Sequence, residues 1–546
     1  MIFFKMCPFR TFLSILSIFA LLGIISFVFP SEGLKLGDIT LRFPSVISLF
    51  QKDEVKFNGE APEEHIQKLL DETRERKFSA YADSLKFYED FFKNGPTRFD
   101  LPDNNPAWFD RFFARLKAAN DSGKVIHIIH YGDSQLEGDR ITSTLREYLQ
   151  TLFGGSGPGM LPALADIPSL AFIERSTGNL SRHRIFGPQE EMATHNRYGP
   201  MAQFSELRGS ATISLKKRPK TKGFEHVGTF QTIQVFANKG NLQTKLIYAS
   251  EIEDTVKTDS LPPKIVKKMQ KFLANPPEVQ NYGNLYVYSW NLALPTSDAK
   301  VTLNGKADIY TIVANAESGV AVDNIAMRGS SGTIFHRMDK ALLSNSYQAL
   351  HTDLIIMEYG GNLVPSVTAN NINWVKELVE KQIRTIKETA PDADILFIGP
   401  ADMSKRINGK WQSFHSLNRT IETLRQVALK NGCAYFDMHR VMGGDGAMIA
   451  WVNENPPLAG PDYIHFTRAG AAKMGELLYN SLKLHYDYYT FREAHEIDEG
   501  TLGEIHAFVD SLKNDTLVSS SDTLILTPIS EISTDSLKKE NKGEEK

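Results

Sequence analysis

Cysteine is almost absent from this chain: Cys7 and Cys433 are the only two in 546 residues. No disulfide framework and no multi-cysteine metal centre can be built from them, so packing must carry the fold. An excess of either charge is missing too. Against 61 Lys and Arg stand 65 Asp and Glu, a net charge of −4, which offers no basic field for counterion release, and nucleic acid is set aside as a partner. Paired metal ligands are missing among the histidines. His127 and His130 are three apart on a strand-like run and point to opposite faces. His336, His351 and His439 lack a ligand pattern and read as structural or exposed. Neither a metal nor an organic cofactor is expected.

Long hydrophobic runs are also scarce, with one exception. Residues 12–29 carry no charge for 18 positions and follow Lys5 and Arg10. At about 1.5 Å per helical residue the run crosses most of a bilayer. It ends in Phe-Val-Phe-Pro-Ser-Glu-Gly without an A-x-A-like site, which favours an uncleaved signal anchor (1–33) over a removed leader or a buried helix. With the basic residues inside, the rest is expected on the outer face of the cytoplasmic membrane.

At 546 residues with 42% apolar side chains, more than one structural unit is expected. Residues 34–120 read as a helical extension, with apolar residues at helical spacing over 63–76 and 106–119. Residues 124–130 form a β-branched run that ends at Tyr131-Gly132-Asp133-Ser134 before helical sequence at 140–151. From 162 to 319 the pattern alternates with period two, as at 210–216, 230–238, 242–248, 285–292 and 307–315, with Asn304-Gly305 at an expected hairpin. This predicts an inserted antiparallel β-sandwich. Short runs at 320–327, 353–357, 394–398 and 434–437, with helical stretches at 373–389 and 414–431, restore an α/β rhythm and predict a parallel sheet covered on both faces. The α/β domain thus comprises 121–161 and 320–485. Residues 486–546 form a C-terminal extension whose Ser-, Thr-, Lys- and Glu-rich tail, from about Thr516, cannot bury enough surface to fold, its short apolar run at 524–526 aside.

The chemistry concentrates in a few turns. Gly132-Asp133-Ser134-Gln135 puts a hydroxyl in a strand-to-helix turn, where backbone N–H groups meet developing negative charge. Asp462-Tyr463-Ile464-His465 puts a carboxylate and an imidazole three residues apart, a spacing that lets the carboxylate hold one ring nitrogen while the other faces a nucleophile. A capping Asp beside an unrelated His is the alternative. Between them, Arg328-Gly329-Ser330 and Tyr359-Gly360-Gly361-Asn362 follow strand-like runs and offer oxyanion donors, each worth about 3 kcal/mol of barrier.

In this order the blocks Gly-Asp-Ser, Gly, Gly-x-Asn and Asp-x-x-His resemble those of SGNH (GDSL-like) hydrolases over residues 121–160 and 320–485. The resemblance implies a flavodoxin-like α/β/α fold, Ser134 as nucleophile, His465 as base and then acid, and Asp462 as its orienting partner. It also implies Ser134, Gly329 and Asn362 as the oxyanion hole, with Asp133 and Gly360 in support. Leu363 stands where many members have Asp, and Gln135 where Leu is usual. An exported domain of this kind with a β-rich insertion also resembles bacterial peptidoglycan O-acetylesterases and envelope-polysaccharide acetyltransferases. There the insertion resembles a carbohydrate-binding module. Trp290, Tyr286, Tyr288 and Tyr310 would be its stacking faces unless they are core. The Gly154–Gly159 stretch lacks the Gly-Lys-Ser/Thr ending of a phosphate loop and reads as a flexible rim beside the site. Glu137, Asp139 and Arg140 read as structural charges at a helix start.

Three functions fit. The first is a serine esterase that removes an acyl group, O-acetyl above all, from an envelope glycan. The second is an O-acetyltransferase supplied by a membrane-bound O-acyltransferase partner. The third is a non-catalytic glycan-binding envelope protein.

Overall fold

The computed structural model describes residues 16–18, 20–26, 34–36, 39–41, 62–219, 224–258 and 261–516. They fall into two compact units, Met1–Phe78 and Ser79–Lys546. In the first, residues 16–18 and 20–26 are helical and strand Leu34–Leu36 pairs antiparallel with Ile39–Leu41. No helix among the described residues is long and apolar enough to cross a membrane. Of the apolar run at 12–29, residues 12–15, 19 and 27–29 lie outside the described residues, as do Cys7 and the tail from 517 onward.

The second unit is built on a six-stranded sheet: β1 (Phe99–Asp100), β2 (Val125–Gly132), β3 (Gly319–Ala326), β4 (Thr352–Glu358), β5 (Asp394–Ile398) and β6 (Ala434–Phe436). Its order is β3-β2-β4-β5-β6-β1, parallel except for β1. Without β1, the strands follow the flavodoxin-like order second-first-third-fourth-fifth. The chain passes from β2 to β3 on one side and then from β3 across to β4 on the other, so the strand order reverses at β2. A crevice therefore opens at its carboxyl end, where Ser134 stands.

Side chains alternate between two cores, as strand geometry requires. Ile129, Ile355 and Met357 enter one core with Leu342, Val379 and Leu424. Ile128, Leu354 and Ile356 enter the other with Leu145, Leu149, Phe112 and Met474. These cores lie under the helices Lys340–Ala349, Ile372–Thr389 and Leu417–Lys430 on one face, and Asp110–Ala118, Thr142–Phe153 and Arg468–Ala494 on the other. Burying each such side chain contributes about 1.5–3 kcal/mol.

Residues 99–118 differ from the expected extension. Phe99 and Phe436 are paired in the sheet, and Arg115 bonds Asp353 at 2.7 Å, so this stretch belongs to the α/β layer. The helix Arg468–Ala494 likewise runs past 485, and a further helix spans Glu499–Thr516.

The inserted region is antiparallel, as expected, but its nine described strands form one connected sheet. Strand Asp298–Asn315 serves both halves. It pairs with Gln203–Lys217 and Gln243–Thr258 over its first part and with Phe230–Ala237 and Gly159–Leu161 over its last. Asn304-Gly305 is therefore no hairpin: both residues sit inside this strand opposite Ser210 and Gly209, two small partners that leave the ladder unbroken. The sheet also starts earlier than residue 162, at Gly159–Leu161. Trp290, Tyr288 and Tyr310 are buried in cores, which removes them as stacking faces. The Gly154–Gly159 loop is no rim of the crevice. A Cβ on Gly155 would meet the Val320 backbone at 2.4 Å, so the loop packs beside the amino end of β3, away from Ser134.

Candidate active site

Gly132 ends β2 where a side chain has no room, since a Cβ would lie 2.6 Å from Leu136 and 3.2 Å from Glu358. The next residue caps the turn: Asp133 Oδ1 accepts from the Gln135 N–H at 3.0 Å, and a 3-10 turn starts at Ser134. Far along the chain, Asp462 organises its own loop. Its Oδ1 accepts from the N–H groups of Ile464 (3.0 Å) and His465 (3.1 Å), and its Oδ2 lies 2.7 Å from His465 Nδ1. His465 Nε2 then stands 2.8 Å from Ser134 Oγ. Burial pushes the Asp462 carboxyl up, but the His465 ring and the two N–H donors outweigh it, and the group stays below its ordinary value. A hydroxyl, an imidazole with one nitrogen on a carboxylate, and that carboxylate form one hydrogen-bonded chain.

Two residues tie the distant loops together, and sequence reasoning gave neither this role. The Gln135 amide donates from Nε2 to the Ile464 carbonyl (2.8 Å) and accepts at Oε1 from the Phe466 N–H (3.1 Å). Arg140 donates to the carbonyls of Ser134 (2.5 Å) and Phe466 (2.8 Å). Gln135 therefore brackets His465 from both sides, and Arg140 ties the nucleophile turn to the residue after it. Tyr463, in the left-handed region at φ 59°, is clamped by Trp411, whose ring stacks on it at 3.8 Å, and by the Ser404 N–H on its carbonyl at 2.9 Å. The other two charges read as structural do pair. Asp139 binds the buried Arg146, and Glu137 pairs with Arg328.

A cavity of about 220 Å³ opens beside Ser134, lined among others by Asn362, Gly361, Glu358, Asp402 and His465. Gly329 is not among its lining residues. Its turn, closed by the Ser330 N–H on Met327 (2.9 Å), instead directs the Ser330 carbonyl to Asn362. Asn362 Nδ2 spends its hydrogens on that carbonyl and on Asp133 Oδ2, both at 3.1 Å. Gly360 precedes it at φ 135°, where a Cβ would lie 2.7 Å from Pro400. Leu363 is buried in the core beneath, where a carboxylate would have to be desolvated.

Burial raises the Asp133 carboxyl to about 7, with Glu358 adding to the shift and the Gln135 N–H, His465 and Asn362 opposing it. Glu358 is a second buried acid that the sequence reading passed over. Its Oε2 lies 3.0 Å from His130 Nε2, and His130 Nδ1 lies 3.1 Å from Thr142 Oγ1. His130 and His127 are thus held on separate carboxylates, Glu358 and Asp323. Asp402, His439 and Asp445 bring one ligand atom each within 4.8 Å of one another. His439 Nε2 already lies 3.0 Å from Asp445 Oδ1, which satisfies that ring nitrogen without an ion.

No family model matches this chain, and no curated protein matches it. Among solved structures it is similar to a peptidoglycan O-acetylesterase at 18% identity and TM-score 0.49, over 70% of this chain and 98% of that one. It is also similar to an acetyl xylan esterase (13% identity, 30% of this chain and 81% of that one, TM-score 0.23) and to Est24, a carbohydrate acetylesterase from Sinorhizobium meliloti (12%, 30% and 78%, TM-score 0.22). These likenesses are weak. What this site can do follows from its own side chains.

Proposed function

We propose that this chain is an SGNH-type serine esterase that removes acyl groups, O-acetyl above all, from a cell-envelope or extracellular glycan. The carrying observation is the chain Ser134 Oγ, His465 Nε2 and Nδ1, Asp462 Oδ2, at 2.8 and 2.7 Å. In this reading Ser134 Oγ attacks the acetyl carbonyl carbon and its proton passes to His465 Nε2. The sugar oxygen leaves with that proton, so the acyl group stays on Ser134. Water then attacks the acyl-serine, His465 takes its proton, and acetate departs as Ser134 regains a hydrogen. Asp462 holds the tautomer throughout. His465 is 38% exposed and Asp462 49%, so water reaches the imidazole, which supports hydrolysis over transfer to a second sugar.

The apolar run at 12–29 after Lys5 and Arg10 supports action outside the cytoplasmic membrane. Turnover of a chromogenic acetate ester by wild type beside Ser134→Ala tests the chemistry. A loss of about 10³-fold or more is expected. Equal rates would overturn the proposal. Release of free acetate from an acetylated glycan, without acetyl appearing on an added acceptor glycan, separates hydrolysis from transfer.

A further inference from the structure

One face of the antiparallel sheet changes character along its length. Strands Glu278–Tyr282, Leu285–Thr296, Phe230–Ala237 and Asp298–Asn315 lie side by side, and their register sets out rows of same-face residues. Near the parallel sheet the row is Val287–Phe236–Thr311, whose Val287 and Phe236 enter the shared core. Two rows on, it is Asn291–Thr232–Asn315, polar throughout. Between them Gln234 lies opposite Ser289, its Nε2 donating to the serine hydroxyl at 3.2 Å. Where a face buries apolar residues in one row and presents amides and hydroxyls in the next, the two layers have parted.

The gap is a cleft of about 350 Å³, lined on the sheet side by Thr232, Gln234, Gln280, Tyr282, Asn291 and Asn315, and on the other by the amino end of β2. That size lies within the range of small-ligand sites, roughly 300–1,000 Å³. The cleft is graded. Gln280 and Asn291 are exposed at its mouth, Thr232 and Gln234 are half-buried, and Asn315 is 4% exposed at its floor. Asn315 also carries an unmet demand. His127 gives Nδ1 to Asp323 at 2.7 Å and meets Asn315 Nδ2 through Nε2 at 2.9 Å, which leaves Asn315 Oδ1 without a protein partner. Turning the amide over would only move the vacancy to the nitrogen. A buried amide atom without a partner costs about 1–3 kcal/mol; this oxygen is closed off from the cleft, so Asn315 forms the floor and its oxygen is not a contact for a ligand.

We propose that this cleft binds a saccharide unit of an uncharged glycan. Neighbouring Gln, Asn and Thr side chains offer donors and acceptors in the paired arrangement that vicinal hydroxyls need. Tyr282, half-buried with its hydroxyl on Gln280 Oε1 at 3.0 Å, adds a ring face for the apolar side of a sugar. Lys124 and Glu317 at the margin balance in charge, His127 is engaged by Asp323 and Asn315, and burial with Lys124 nearby holds the lining His351 below the ordinary imidazole value, so no net charge is left to select an ion. Since β2 runs eight residues from Val125 to Gly132, the cleft and Ser134 are roughly 25 Å apart. Saccharide binding stands independently of the esterase reading. Its role as a hold on a polymer whose ester lies at Ser134 rests on that reading.

The test uses the full chain as Ser134→Ala, titrated calorimetrically with N-acetylchitohexaose and cellohexaose. Binding of at least one is expected, with Gln234→Ala and Asn291→Ala each weakening it tenfold or more. Neither variant should change wild-type turnover of a chromogenic acetate ester by more than twofold. If neither hexasaccharide binds, or if binding survives both substitutions, the proposal is overturned. If wild type fails to turn over the ester, the esterase reading falls while the binding result remains legible.

Discussion

Replacing Gln135 by leucine would remove the one side chain that grips the His465 loop from both sides of the imidazole. The substitution keeps volume and apolar packing but leaves the Ile464 carbonyl and the Phe466 N–H, now bonded at 2.8 and 3.1 Å, without partners. Phe466 is buried and Ile464 half-buried. A net bond is worth about 1 kcal/mol and an orphaned buried group costs about 1–3 kcal/mol, which places the destabilisation at about 2–4 kcal/mol. If even half of that is released as play of the ring relative to Ser134 Oγ, kcat falls about tenfold, since 1.36 kcal/mol is a factor of ten. KM for a small acetate ester should hold, because the amide touches protein and not the acyl group. Gln135→Glu keeps the acceptor for Phe466 and loses the donor to Ile464, so it should fall between wild type and leucine. Steady-state kinetics and urea unfolding on the three proteins measure both quantities. A leucine variant within twofold in kcat and 0.5 kcal/mol in stability would refute the reasoning.

Asp133→Asn addresses the buried acid. With its folded value raised to about 7, Asp133 holds its proton in the native state over a range in which the unfolded chain has lost it. Its contribution to stability is therefore kept below about pH 4 and lost as pH rises toward 7. The loss amounts to up to about 4 kcal/mol, and the asparagine variant should show a flatter stability profile between those limits in urea melts. Arg146→Ala leaves Asp139 buried and unpaired, because Arg146 is 1% exposed and bonds it at 2.6 and 3.1 Å. A loss of about 3–5 kcal/mol in chemical denaturation is expected, against little for Arg328→Ala at the exposed pair with Glu137. Trp411→Ala removes the ring that holds Tyr463 in its left-handed conformation. It should lower ester kcat several-fold while shifting the melting temperature by only a few degrees, and Trp411→Phe should restore most of the rate.

What could be read from the chain alone was what is local. The run before Gly132, the turn that carries Ser134 and the three-residue spacing of Asp462 and His465 each depend on neighbours in sequence, and the parallel order followed from strands alternating with helices. The supports of the site could not be read in that way. Gln135 acts on residues more than three hundred positions away, Glu358 meets His130 only through strand register, and Arg140 looked like any charge at a helix start. Asn304-Gly305 misled for a related reason. Its turn propensity is real, but a long strand paired on both sides overrides it. The aromatics of the inserted sheet misled because period two says which residues share a face and not which face is wet.

The core that runs through both sheets has a consequence for inheritance. Tyr131 and Ile129 of β2 share it with Phe236, Val287 and Tyr310 of the antiparallel sheet. Cutting the insertion out would strip the surface beneath of its cover. Exchanging the region for an unrelated one would require a matching bed of side chains on β2 to be exchanged along with it.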